Sequence, residues 1–228
     1  MNYKDFTLIT ADSRKVIPGA LFVAVKGYAS DGHNYIQSAI DKGAKGIICE
    51  HLPSGTDIPE GVEIEVVENS RKALALAADE FYDHPSRKLT PVGITGTNGK
   101  TTTVTLLYNL FRALGYQCGL LSTIANYVGD ERFETENTTV DPVTLNELMA
   151  RMVKKGCQYC FMEVSSIGVE QDRVTGLDFK LASSPTSRTT TWITTRRLPS
   201  TCVARSSSLT TCPRTPSPSL TWTTATAR

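Results

Sequence analysis

The chain has 228 residues, 40% of them hydrophobic, a net charge of +1 and a mean hydropathy of −0.17. That length suits one or two domains with a real core. No apolar run approaches the ~18 residues that span a bilayer, the first residues show no basic segment leading into an apolar one, and the near-neutral charge argues against a generic nucleic-acid binder, so the expectation is a cytoplasmic protein with no membrane or nucleic-acid partner.

In chain order, Leu21–Val25 is an apolar run bounded by Pro18-Gly19 and Gly27, and predicts a buried strand. Asp31–Ile40 spaces Ile36, Ala39 and Ile40 at helical intervals, and Gly43 stops that helix before a strand at Gly46–Cys49. Val62–Val67 alternates with Glu63 and Glu65 as a half-buried strand does. Asn69 or Ser70 can cap a helix that gathers Leu74, Ala77, Ala78 and Phe81 on one face. His84-Pro85-Ser86 breaks the pattern, so a first domain is expected over 1–87 and a second from 88.

The second domain opens with a strand, Leu89–Thr95, and the turn Gly96-Thr97-Asn98-Gly99. A helix follows from Lys100, with Leu107, Leu110, Phe111 and Leu114 as its expected buried stripe. Cys118–Ile124 reads as a strand, and Asp141-Pro142 opens a helix that buries Leu145, Leu148, Met149 and Met152. Cys157–Val164 is again an apolar strand. Strands alternating with helices define an α/β fold class with mostly parallel sheets. Cys49 and Cys118 read as small core residues. Cys157 and Cys160 form a single CxxC with no second pair or nearby His, which fits neither a zinc site nor a redox motif.

The segment Gly96-Thr-Asn-Gly-Lys-Thr-Thr102 carries chemistry. Between a strand and a helix, its glycines let backbone N–H groups approach phosphate oxygens, and the helix N-terminus favours an anion. Lys100 adds a point charge and the Thr101 hydroxyl is a candidate Mg²⁺ ligand. Ile94 stands where the longer GxxxxGK[ST] loop has its first Gly, so this is a shortened loop. A Mg²⁺–nucleotide site also needs acidic oxygen, and Glu163 closes an apolar strand where ligands gather in parallel sheets. Lys100 and Glu163 are the catalytic candidates, and Thr101 with Glu163 the metal candidates.

Asp12–Gly27 with Asp31-Gly-His33, the loop Gly96–Thr103, Asn137-Thr-Thr139, and Glu163-Val-Ser-Ser166 with Gln171 and Arg173 together resemble the Mur ligases over residues 8–181. The Thr-Thr and Ser-Ser elements favour the branch that adds a diamino acid. The resemblance implies an N-terminal α/β domain for the UDP end of the substrate and a central ATPase domain holding ATP and Mg²⁺. Ser13, Tyr28, Ala29 and Ser30 match the uridine positions; Asn137, Thr138, Thr139, Ser165, Gln171 and Arg173 match those facing the muramoyl dipeptide. The implied reaction is amide ligation in peptidoglycan precursor synthesis. ATP phosphorylates the D-Glu γ-carboxylate of UDP-MurNAc-L-Ala-D-Glu, and the amine of diaminopimelate or L-lysine attacks the acyl phosphate. Two departures stand out: Val140 and Ile167 replace the usual Pro and His, and a lost polar contact of that kind costs ~1–3 kcal/mol. Another member of the family, a folylpolyglutamate synthase-like ligase, and a nucleotide-binding remnant without turnover are the alternatives.

The composition changes at residue 182. The 47 residues from there hold 14 Thr, 9 Ser, 6 Arg and 5 Pro, and no Asp, Glu, Lys or Gly. All 23 acidic residues and 18 of the 24 Lys and Arg lie before it, so the body carries −5 and the tail +6. A disordered Ser/Thr/Pro stalk or a basic nucleic-acid-binding arm would each account for such a composition. A shift of codon phase accounts for more: with one base restored before the Ala182 codon, the codons can spell Gly-Ile-Phe-Thr-Asn-Leu-Thr-His-Asp-His-Leu-Asp-Tyr-His, which resembles the family's continuation. The expectation is a partial central domain over 88–181, a frameshifted, disordered tail over 182–228, and a polypeptide that does not ligate.

Overall fold

The computed structural model describes residues 1–27, 30–135, 138–185 and 190–193. The chain divides into two units, Met1–Asp83 and His84–Arg228. The division falls after Asp83, not after Arg87 as expected. The reason is that Pro85–Lys88 forms a short helix packed on a helix of the second unit, and buried Ser86 accepts a hydrogen bond from the Asp178 N–H (3.1 Å).

The first unit is a parallel four-stranded sheet in the order β1 (Ile9–Thr10), β2 (Leu21–Val23), β3 (Gly46–Cys49), β4 (Glu63–Val66). Phe22, Ile47 and Cys49 meet Ile36, Ala39 and Ile40 of helix α1 (Ile36–Asp41) in one core. The predicted helix over 31–40 is two elements. Asp31 accepts the His33 N–H and starts a 3-10 turn at Gly32–Tyr35, which leads into α1. Helix α2 (Ser70–Phe81) is capped by Asn69, whose side chain accepts the Lys72 N–H, and buries Leu74, Ala77 and Ala78.

The second unit holds α3 (Pro85–Lys88), β5 (Thr90–Ile94), α4 (Lys100–Ala113), β6 (Cys118–Leu121), β7 (Asn126–Val128), β8 (Glu131–Phe133), α5 (Pro142–Lys154), β9 (Tyr159–Glu163), α6 (Ser166–Glu170), β10 (Leu181–Pro185) and β11 (Thr190–Ile193). They build one sheet in the order β11-β10-β5-β9-β6-β7-β8, with β10, β5, β9 and β6 parallel. Alternation along β9 serves both faces. Cys160 and Met162 join Leu145, Met149 and Met152 of α5, whereas Phe161 joins Val104 and Tyr108 of α4. Gly93 sits in mid-strand because Phe179 crosses it: a Cβ there would lie 2.8 Å from the Phe179 ring.

Three expectations are corrected. The buried stripe of α4 is Val104 and Tyr108, flanked by Leu107 and Phe111, while Leu110 and Leu114 are 53% and 64% exposed. The Tyr108 hydroxyl donates to the Gly129 carbonyl (2.8 Å) and accepts from Arg112, and this fixes the rotation of the helix. The strand expected over Cys118–Ile124 stops at Leu121, and the β7–β8 hairpin turns at Gly129-Asp130. Lastly, the sheet runs past residue 181. Ala182 and Ser183 pair with Gly93 and Ile94, so the expected tail boundary falls inside β10; residues 186–189 and 194–228 lie outside the described residues.

Ser183 is buried, and among the described residues its hydroxyl has no hydrogen-bond partner. An unpaired buried hydroxyl is destabilising, and an apolar side chain of similar shape removes the penalty. Ser183→Ala should therefore raise the stability of the second unit by about 1–2 kcal/mol, read as a higher denaturant midpoint. An unchanged or lower midpoint would count against the placement of β10.

Candidate nucleotide and substrate site

The carboxyl ends of β5, β9 and β6 are adjacent, and three loops meet there. The first is Thr95–Gly99. Gly96 (φ +122°) and Gly99 (φ +80°) take conformations that side chains with a Cβ resist, and Gly99 caps α4 without a side chain of its own. Thr97, Asn98 and Thr102 are exposed, while Lys100 and Thr101 are half-buried. Lys100 Nζ donates to the Gly96 carbonyl (2.7 Å), so the ammonium lies over the loop itself. The first N–H groups of α4 are left for a ligand, as at an anion-binding helix terminus.

Glu163 ends β9 and is 1% exposed. Its Oε2 accepts from the Thr101 hydroxyl (3.0 Å) and the Thr123 hydroxyl (3.2 Å), and its Oε1 from the Thr123 N–H (2.9 Å). Among the described residues Glu163 forms no ion pair, and all three donors are neutral. A buried carboxylate beside a hydroxyl is the hard-oxygen set that Mg²⁺ takes, so these residues fit that ion. Glu163 and Thr101, both metal candidates from the sequence, come together here. Thr123 carries no such signal, because a strand drawn through Ile124 hides the turn after Leu121.

The residues matched to the muramoyl dipeptide form a tied group beside Glu163. Thr139 is buried; its hydroxyl lies 3.2 Å from the Glu163 carbonyl and 3.2 Å from Ser165 Oγ, and accepts the Ser165 N–H (3.0 Å). Ser165 caps α6 through the Gly168 N–H (3.0 Å). Arg173 donates to Gln171 Oε1 (2.9 Å from Nε) and to the Thr139 carbonyl. Ser165, Gln171, Arg173 and Thr138 are half-buried and Thr139 is buried; the Ser165 and Thr139 hydroxyls, Gln171 Oε1 and the Arg173 guanidinium are all tied to one another or to nearby backbone. Ile167, in place of the expected His, is 58% exposed. Asn137 lies outside the described residues. Cys118, Cys157 and Cys160 are buried free thiols; burial pushes Cys118 up to about 11 and raises the other two, which marks packing rather than chemistry.

In the first unit, Ser13 follows β1 and Ser30 follows β2, past the carboxyl ends of neighbouring parallel strands. The Ser13 carbonyl accepts from Lys42 Nζ (2.7 Å), Ser30 is exposed, and Tyr28 and Ala29 lie outside the described residues. Buried His33 supports this end of the sheet. Its Nε2 accepts the Glu50 N–H (2.9 Å), so Nδ1 carries the proton and donates to Asp31. His33 stacks on His51 with centroids 4.2 Å apart, and the Glu50 carboxylate accepts from the Ser70 N–H and hydroxyl.

Three carboxylates here are held below their ordinary range. The Arg14 side chain, then its N–H, brings Asp12 to about 2. The His33 N–H lowers Asp31, and the Ser70 N–H lowers Glu50. A depressed folded-state value gives stability that is present above the unfolded value of about 4 and lost as pH falls through the folded one. Thermal melts of the full chain should thus lose stability between about pH 4.5 and 2, with Asp31→Asn flattening the slope. An acid slope unaltered by that substitution would refute the assignment.

This two-unit fold, a parallel sheet ending on a glycine loop, a lysine and a buried carboxylate, is that of a ligase family. Family models match in succession: the Mur ligase family catalytic domain over residues 5–82 and the Mur ligase middle domain over 94–184, and the chain belongs to the Mur ligase family. It is 54% identical over 176 residues to the UDP-N-acetylmuramoyl-L-alanyl-D-glutamate--2,6-diaminopimelate ligase of Parabacteroides distasonis, covering 77% of this chain and 36% of that protein. The Bacteroides fragilis protein of the same name is 52% identical over 175 residues, with the same coverage. A solved structure of a ligase with that name superposes with a TM-score of 0.65 at 26% identity, covering 78% of this chain and 36% of the other. The MurF ligase of Thermotoga maritima, solved in complex with ADP, gives 0.50 at 27% identity, covering 81% and 38%. The chain spans about a third of the length of the curated relatives it matches.

Proposed function

We propose that this chain is the nucleotide- and UDP-substrate-binding portion of an ATP-dependent amide ligase that extends UDP-MurNAc-L-Ala-D-Glu by a diamino acid in peptidoglycan precursor synthesis. The observation that carries the reading is the Glu163–Thr101 pair (3.0 Å) at the mouth of the Gly96–Gly99 loop, which joins a metal-ligand set to a phosphate cradle. Lys100 and the α4 N-terminus bind phosphate oxygens and offset their charge. Thr101 and Glu163 would hold Mg²⁺, which when bound supplies Lewis-acid polarisation of the phosphoryl group. Ser165, Gln171 and Arg173 orient the acyl end of the substrate next to that group, and positioning supplies much of the rate in phosphoryl transfer. Ser13 and the Tyr28–Ser30 segment take the uridine end. The names of the relatives favour 2,6-diaminopimelate over lysine as the added residue.

The coverage of the relatives favours a second reading, binding without turnover. Calorimetric titration of the full chain with Mg-ATP and with UDP-MurNAc-L-Ala-D-Glu tests the proposal, and no binding of either refutes it. Phosphate release on the same preparation separates the readings: release that depends on the UDP substrate excludes the second. The shifted codon phase remains our account of the composition after residue 182. It is supported by the family match ending at 184, and resequencing that locus decides it.

A further inference from the structure

Glu163 is gripped at both carboxylate oxygens by one residue that the sequence did not single out. We infer that Thr123 is a positioning residue for the metal–nucleotide site: it fixes the Glu163 carboxylate in the orientation that receives the divalent cation. The inference rests on the nucleotide reading above. A glutamate side chain has several rotatable bonds, and a carboxylate swinging among rotamers makes a poor ligand. Here the Thr123 N–H meets Oε1 at 2.9 Å and its hydroxyl meets Oε2 at 3.2 Å, a two-point clamp that permits one plane for the carboxylate.

The clamp is itself anchored. Leu121 of β6 pairs with Met162 of β9, so the chain leaving β6 passes beside Glu163. The turn it enters is pinned on both sides: the Ser122 hydroxyl donates to the Ala125 carbonyl (2.8 Å), and the Ser122 N–H donates to Asn126 Oδ1 (3.3 Å). Thr101, the third donor, is a candidate ligand. Thr123 differs in holding both oxygens: its backbone N–H, which cannot ligate a cation, acts only through Glu163 Oε1, and its hydroxyl, the group that substitution removes, is spent on Oε2. A carboxylate offers about four lone-pair sites; three donors occupy three, which leaves one on Oε1 for a metal. Groups that orient metal ligands typically change metal affinity by about 10- to 100-fold when removed.

The test is ATP affinity of the full 228-residue chain with Mg²⁺ and with excess EDTA, for the parent, Thr123→Val, Thr123→Ala and Thr123→Ser. The Thr123 hydroxyl donates to a buried carboxylate, so Val and Ala should lower the melting temperature modestly while the chain stays folded, and Ala guards against a misfolded Val variant. Val and Ala should weaken Mg-ATP binding about 10-fold, leave metal-free ATP binding untouched, and Ser should restore the parent value. Parent-like Mg-ATP binding by Val and Ala overturns the inference, as does an equal loss with and without Mg²⁺. A parent chain that binds ATP in neither condition refutes the nucleotide reading and the inference with it, a result separate from a parent that binds and a variant that does not differ.

Discussion

Lys100→Met should lower the affinity of the chain for Mg-ATP by roughly 10- to 150-fold in calorimetric titration. A hydrogen bond from a charged donor contributes about 1.5–3 kcal/mol, and each 1.4 kcal/mol is tenfold. Lys100 already lies on the loop, with Nζ 2.7 Å from the Gly96 carbonyl, so little reorganisation separates that position from a phosphate oxygen in the same cradle. Methionine keeps much of the stem and loses the charge, so the fold should stay intact. The loss should be nearly as large without Mg²⁺, because the ammonium meets the phosphates directly. That separates this substitution from those at Thr123. Retained affinity would show that nucleotide binds elsewhere or not at all.

The second large effect is on the frame that carries the site. Phe161→Ala should destabilise the second unit by about 3–5 kcal/mol, the usual cost of truncating a buried aromatic. Phe161 is 1% exposed on β9, a strand flanked by β5 and β6, and its ring sits 5.1 Å from Phe111 of α4. Domains have only about 5–15 kcal/mol to lose, so urea unfolding should show one transition moved far down, with a second, belonging to residues 1–83 and their own core, left in place. Because Glu163 lies two residues on, Mg-ATP binding should weaken along with stability. A single unshifted transition would mean that Phe161 is not the core residue described.

The legible parts of the sequence were those in which one local rule decides. Asp141-Pro142 starts α5, Asn69 caps α2, and the apolar runs at 46–49 and 159–163 form strands that a helix period does not fit. The loop Gly96–Thr102 was placed because its flanking strand and helix were both readable. The rotation of α4 was not. Leu107, Leu110, Phe111 and Leu114 make an acceptable stripe, and so does Val104, Tyr108 and Phe111. The choice was made by the Tyr108 hydroxyl meeting a carbonyl of the β7–β8 hairpin, 21 residues away. Thr123 was hidden for a related reason: it is an ordinary residue until β6 and β9 are neighbours.

By itself, then, the sequence determined the class of fold, the glycine loop that leads into α4 at Lys100 and Thr101, and the strand-end position of Glu163, because glycine conformations, strand–helix alternation and charge are local properties. It also determined the break in composition near residue 182. The tertiary structure alone decided which face of α4 is buried, that β10 continues the sheet through Ser183, and that Thr101 and Thr123 both meet Glu163. Those contacts join residues 40 and 62 positions apart, and strand order, which pattern along a chain does not encode, is what brings them within hydrogen-bonding distance.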